Sequence, residues 1–331
     1  VRRKSAAEGA PVYPIAGSTY TGYVLFDRMM ATQTQGLSVE LNRAGSFALR
    51  PEEFYLAHLD GRWSFQDRAL QDAFGLIQRL GQEMTPGFLS LSREDAMFYF
   101  IQGRALMMPT GSFDITSIHS QAGFPIGIGP MPSPDPLHPV YGRNMIDRAA
   151  EAGLRTYGSF GITANSAHPE LALDFLRFLT SQKANQTFTR VSRWLPVIRG
   201  VEADDEIKPF LPERSGFPPG PSFRWGAALE TRRVTETQLH QLWAVSQDKE
   251  SFARAVAVPY ARAMRRDLDT MVVGWSRDLM RDDSTFGAYE HLSALEPKDP
   301  VYEQRLATIR LSQARLEVRY EDLTRQLNQL P

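Results

Sequence analysis

Cysteine is absent from all 331 residues. That removes disulfides, thiol nucleophiles and zinc–thiolate centres from consideration. No apolar run approaches the ~20 residues that a membrane-spanning helix needs. Charge of one sign is missing too. The formal net charge is −1 at pH 7, and the arginines are interleaved with acids, so nothing points to nucleic acid. The six histidines, His58, His119, His138, His168, His240 and His291, show no pair at metal-ligand spacing and none beside a serine in an elbow motif. There is no glycine-rich phosphate loop, and the acidic runs Glu52, Glu53 and Asp204, Asp205, Glu206 lie next to loops, as solvated surface does. No metal, no cofactor and no catalytic residue is expected. A carbohydrate-active enzyme stays open as the weakest reading, because the separation of two carboxylates is a spatial quantity.

What is present is apolar patterning. With 42% hydrophobic residues the chain can bury a large core divided over two domains. The segment Phe98–Phe113, FYFIQGRALMMPTGSF, is the most informative. Ser92 caps a helix whose third position is Asp95, Met97, Phe98 and Ile101 form its apolar stripe, and Gly103 supplies a left-handed stop. Ala105–Met108 reads as a short strand buried on both faces, and a Gly-Ser turn then presents Phe113. In Phe65–Gly81 the residues Leu70, Ala73, Phe74, Ile77 and Leu80 recur at helical spacing. Pro169 fits a first helical position, with Leu171, Ala172, Phe175, Leu176 and Leu179 as the buried face.

The Phe98–Phe113 pattern resembles the signature of bacterial extracellular solute-binding proteins of ABC transporters, the family 1 or maltose-binding-protein-like class. Other segments match in the family's order. Val12–Met30 resembles its strand and aromatic-bearing loop before a helix, Phe124–Pro134 its next strand and linker, and the stretch from Thr156 to Phe188 its strand, Asn turn and paired helices. Trp194–Val197, WLPV, resembles a further family segment, and the likeness covers about Ala10–Val273. It implies an α/β fold of the type II periplasmic-binding-protein kind, two lobes around a cleft, closing on ligand by hinge motion. Residues 1–274 would form the solute-binding region, with 10–123 and 210–274 as the second lobe and 124–209 as the remainder of a first lobe whose leading part is not in this sequence. The helix from Pro169 should therefore show an apolar face that no complete sheet covers.

Two proline- and glycine-rich stretches, Gly123–Pro139 and Pro209–Pro221, read as linkers. Phe223–Val245 and Lys249–Val273 read as helices, and a third boundary falls near Gly274–Pro300. Residues 275–331 make a helical C-terminal extension that the family does not explain. Tyr302, Leu306, Ile309, Leu316, Tyr320, Leu323, Leu327 and Leu330 recur at alternating spacings of four and three, broken only at Gln313. Such a series predicts one long helix with a buried seam, packed either on its own chain or in a self-associating coiled coil.

A site for sugars needs flat aromatic platforms for the C–H faces and planar polar groups for the hydroxyl rim. By the resemblance, Trp225 occupies the place of a cleft tryptophan and Phe113 that of the aromatic after the turn, while Tyr20 and Tyr23, with Ser18 and Thr19, lie in a cleft-facing loop. Asp114, Arg224 and Tyr157 are the rim candidates, and Trp194 is expected in the core. The implied function is capture of a carbohydrate and its delivery to an ABC permease. The implied location is periplasmic or extracellular, with a membrane tether ahead of Val1. The alternative is a scaffold that keeps the fold and assembles through Tyr302–Leu330.

Overall fold

The computed structural model describes residues 11–151, 160–222, 228–244, 248–295 and 300–329. In chain order its elements are β1 (Tyr13–Ile15), α1 (Thr19–Gln33), α2 (Gln35–Leu41), α3 (Pro51–Leu59), α4 (Arg68–Gln82), α5 (Arg93–Ile101), β2 (Ala105–Met107), α6 (Ile115–Gln121), α7 (Pro169–Leu179), α8 (Gln182–Ser192), α9 (Leu229–Trp243), α10 (Lys249–Leu295) and α11 (Pro300–Leu327). They fall into two units, Val1–Gly36 with Asp72–Gly220, and Leu37–Gln71 with Pro221–Pro331.

The first unit holds the sheet. β1 and β2 pair in parallel, Tyr13 opposite Ala105 and Ile15 opposite Met107, and they are its only strands among the described residues. Parallel pairing needs a long crossover, supplied here by the helices between them. Behind β1, Gly17 lies where a Cβ would meet Phe88 Cβ at 2.7 Å and Met84 Cβ at 2.8 Å, so only glycine lets the chain pass this close. Leu25, Phe26, Met29 and Met30 of α1 and Ala73, Phe74 and Ile77 of α4 are buried, as the spacing of the α4 residues predicts.

Several expectations are corrected here. Ala105 is buried, but Leu106 and Met107 are each 54% exposed. A strand is covered on both faces only inside a wide sheet with layers above and below, and this sheet has two strands. In α5 the cap holds, with Asp95 N donating to Ser92 Oγ and Gly103 at φ 70°. Its apolar stripe does not: Phe98 is exposed and only Ala96 is buried. Phe124–Pro134 forms no strand, and in the second expected strand residues 156–159 lie outside the described residues while 160–163 are not part of a sheet.

Helices α7 and α8 form as a pair, with Pro169 in the first turn of α7. None of the α7 residues is buried: Leu171, Phe175 and Phe178 are exposed, and Leu176 and Leu179 half-buried. The expected uncovered apolar face is present within the chain. Trp194, expected inside, is exposed and meets Phe188 edge-on.

The second unit is helical. Its core is aromatic: Trp63 stacks on Phe54 at 4.3 Å and meets Phe65 edge-on, and Phe65 in turn meets Tyr260 edge-on at 5.2 Å. Asp267 of α10, almost fully buried, accepts from Glu230 N (3.0 Å), Thr231 N (2.9 Å) and Thr231 Oγ1 (2.8 Å), and so satisfies the start of α9. Tyr55 Oη lies 2.8 Å from Thr231 Oγ1 and accepts from Ala228 N, and burial pushes its pKa up to about 12.

α10 passes through Gly274 without a break, so the boundary expected there lies inside a helix. It and α11 form an antiparallel hairpin. Arg310 is paired with Glu290, Gln313 donates to Asp283, and the Arg319 guanidinium lies over the Trp275 ring at 4.7 Å. Leu306, Leu323 and Leu327 are buried, and Tyr302, Ile309, Gln313, Leu316 and Tyr320 half-buried. The four-three seam is therefore occupied by α10 of the same chain; Leu330 lies outside the described residues. Among the described helices none is long and apolar enough to cross a membrane.

Candidate functional site

The expected site residues that can be placed gather around the start of α5. Ser18, fully buried, accepts from Thr21 N at 3.1 Å and begins α1. Thr19 is tied to the segment before α5, its N–H donating to Leu91 O (3.2 Å) and its hydroxyl to Leu89 O (2.7 Å). Both hydroxyls thus serve the fold, and the exposed chemistry of this turn is the ring of Tyr20, 39% exposed, with Tyr23 one helical step on and half-buried.

After β2, the Ser112–Asp114 turn carries Phe113, 43% exposed. Arg93, the first residue of α5, lies with its guanidinium over that ring, 5.2 Å from the centroid. The same guanidinium donates to Asp114 Oδ1 (3.0 Å) and Oδ2 (3.1 Å), and Thr110 Oγ1 also donates to Oδ2. Asp114, expected on the ligand rim, is instead buried, and its carboxylate is engaged by Arg93 and Thr110. That carboxylate thus meets the same guanidinium that lies over Phe113. Arg93 and Thr110 were not legible as part of the site, because neither carries a motif and the 21-residue separation of Arg93 from Asp114 is bridged only in the fold.

Trp225, Arg224 and Tyr157 lie outside the described residues. Among the described residues no group of three histidine, aspartate or glutamate side chains is arranged to hold a metal. The arrangement offers exposed rings on a polar, hydrogen-bonded base, which suits a neutral polyhydroxylated ligand better than an ion.

Comparison with known proteins follows from this geometry. The family profile of bacterial extracellular solute-binding proteins matches residues 21–212, more than half of the chain. Tyr23, Phe113, Asp114 and Tyr157 fall within that span, and Tyr20, Arg224 and Trp225 outside it. No curated protein matches. Among solved structures, the raffinose complex of the solute-binding protein RafE is similar at 17% identity and a TM-score of 0.47, covering 79% of this chain and 64% of that one. A chitin oligosaccharide binding protein is similar at 15% identity and a TM-score of 0.46, covering 80% and 63%. The apo form of RafE from Streptococcus pneumoniae follows at 16% identity and a TM-score of 0.45, covering 79% and 63%. These likenesses are loose, and the chain spans less than two thirds of the length of each of the three structures. By the profile match over residues 21–212, this chain belongs to the bacterial extracellular solute-binding proteins.

Proposed function

We propose that the chain binds a carbohydrate outside the cytoplasm and serves as the capture component of an ABC-type transport system, with permease subunits as its partners. The observation that supports this most directly is the pair of exposed rings, Tyr20 and Phe113, each next to a residue in contact with the start of α5 or the segment before it, in a chain of the solute-binding family. Aromatic faces pack on the C–H faces of sugar rings and exclude water from them, while hydroxyls and amides take the rim. Trp225, by resemblance to the family, and Tyr23, Asp114, Arg224 and Tyr157, as further aromatic and rim candidates, complete the proposed ligand set. The lobe assignment, 10–123 with 210–274 against 124–209, belongs to the same proposal. Assembly through Tyr302–Leu330 is the less favoured reading, since α10 of the same chain pairs along that helix.

The test is calorimetric titration with raffinose and with chitin oligosaccharides, the sugars of the two similar proteins. For a sugar the wild type binds, Trp225→Ala should weaken affinity by about 1–3 kcal/mol with the fold retained. Unchanged affinity would remove Trp225 from the site, and no binding to any sugar in a broad panel would overturn the carbohydrate reading.

A further inference from the structure

We infer that Gly111, Arg93 and Asp114, with Thr110, are positioning residues that build a seat for the Phe113 ring and fix the face it turns to ligand. The inference rests on the reading of Phe113 as a ligand platform for its functional part, and on geometry alone for its structural part.

The seat has two walls. One is the backbone of Gly111. A Cβ at this position would stand 2.4 Å from Phe113 Cε1 and 3.0 Å from both Cδ1 and Cζ, so the ring lies in the volume that any other side chain would occupy. The backbone at Gly111 is ordinary extended chain, φ −117°. Glycine is thus required there for the ring and not for the turn. The second wall is the Arg93 guanidinium, 5.2 Å from the ring centroid. An arginine on a flexible stem makes a poor wall unless its plane is held. Here two nitrogens are engaged: Nη1 donates to both oxygens of Asp114, itself buried and held by the Thr110 hydroxyl, and Nη2 donates to Glu94 Oε1 at 3.4 Å. Phe113 and Asp114 are neighbours in sequence, so the residue that anchors Arg93 is fixed to the ring it supports. A phenylalanine 43% exposed would ordinarily sample several rotamers. A ring confined on one side by backbone and on another by a cation keeps its orientation without ligand, which lowers the ordering cost of binding.

Gly111→Ala separates this inference from simple destabilisation. The three atoms nearest to the new methyl all belong to the Phe113 ring, which can swing away. The ring should move while the fold stays. In protein labelled with para-fluorophenylalanine, the Phe113 resonance, assigned by its loss in Phe113→Leu, should shift in Gly111→Ala and again in Arg93→Lys or Thr110→Val. For whichever of raffinose or the chitin oligosaccharides binds, Gly111→Ala should weaken affinity about five- to tenfold, and the loss should vanish in a Phe113→Ala background. A Phe113 resonance unmoved by both Gly111→Ala and Arg93→Lys would overturn the seat, whether or not a sugar is bound. A Gly111→Ala loss that adds in full to that of Phe113→Ala would overturn the positioning role. If the resonance moves but Phe113→Ala binds like wild type, the seat stands and the platform reading of Phe113 is the part that fails.

Discussion

Arg319 offers the sharpest stability test, because the two halves of its ion pair differ in exposure. Its Nη2 and Nε donate to Glu52 Oε1 at 2.7 and 2.9 Å, joining α11 to α3. The Glu52 side chain is 8% exposed and that of Arg319 34%. Removing the cation strands a buried carboxylate, whereas removing the negative charge strands a guanidinium that water and the Trp275 ring still reach. Loss of one partner of a fully buried pair costs about 3–5 kcal/mol. The crevice of about 200 Å³ beside the pair is also lined by Arg43, Arg50 and Arg62, which leave the carboxylate some positive surroundings. We therefore expect Arg319→Met to cost about 2–4 kcal/mol and Glu52→Gln about 1 kcal/mol. The double variant should recover much of the Arg319→Met loss, since neither charge is then left alone. Urea denaturation followed by circular dichroism, with the slopes compared to detect loss of a single transition, measures all three. Equal losses for the two single variants, or a double variant as unstable as their sum, would refute the reasoning.

Burial holds the pKa of His58 below its ordinary value of 6.5. The unfolded chain then takes up a proton where the folded chain does not, so this contribution is complete above pH 6.5 and is lost as pH falls toward the folded-state pKa. His58→Gln should flatten the acid limb of the stability–pH curve just below 6.5; an unchanged slope would exclude His58 as its source. Asp267→Ala strands two backbone donors at the start of α9, Glu230 N and Thr231 N, and should cost about 2–3 kcal/mol, against a negligible change for the exposed control Asp269→Ala. Similar losses for the two variants would show that the buried carboxylate is not what secures α9.

The helices were legible where one face of the pattern is buried at helical spacing. Leu70, Ala73, Phe74 and Ile77 announce α4 because burial repeats every helical turn, and Ser92 and Gly103 mark α5 because capping is local chemistry. Strands fail for the opposite reason. Phe124–Pro134 carries strand-like residues, but a strand exists only through its neighbour, and no short segment of sequence encodes whether the neighbour is there. The extent of α10 was missed at Gly274, since glycine costs about 1 kcal/mol inside a helix and reads as an end. The packing of α11 alongside, through Trp275, Phe286 and Tyr289, offsets that cost and lies far off in sequence. In the site, Phe113 was legible from its turn. Its seat was not, because a glycine that makes room for a ring looks the same in sequence as one that makes a turn.

The 47 residues of α10 have buried members only from Phe252 to Leu268, yet the helix continues to Leu295. Its first half is anchored in an aromatic core; its second half has α11 for company and water elsewhere. One helix thus carries two opening energies. Amide hydrogens up to Leu268 should exchange only with the unfolding of the unit, while those beyond should exchange through separation of the hairpin. The arm can therefore unzip and re-form many times within the lifetime of the folded body. The pairs Gln313–Asp283, Arg310–Glu290 and Arg319–Trp275 all belong to one register, and every one of them would be lost if one helix slid past the other by a turn.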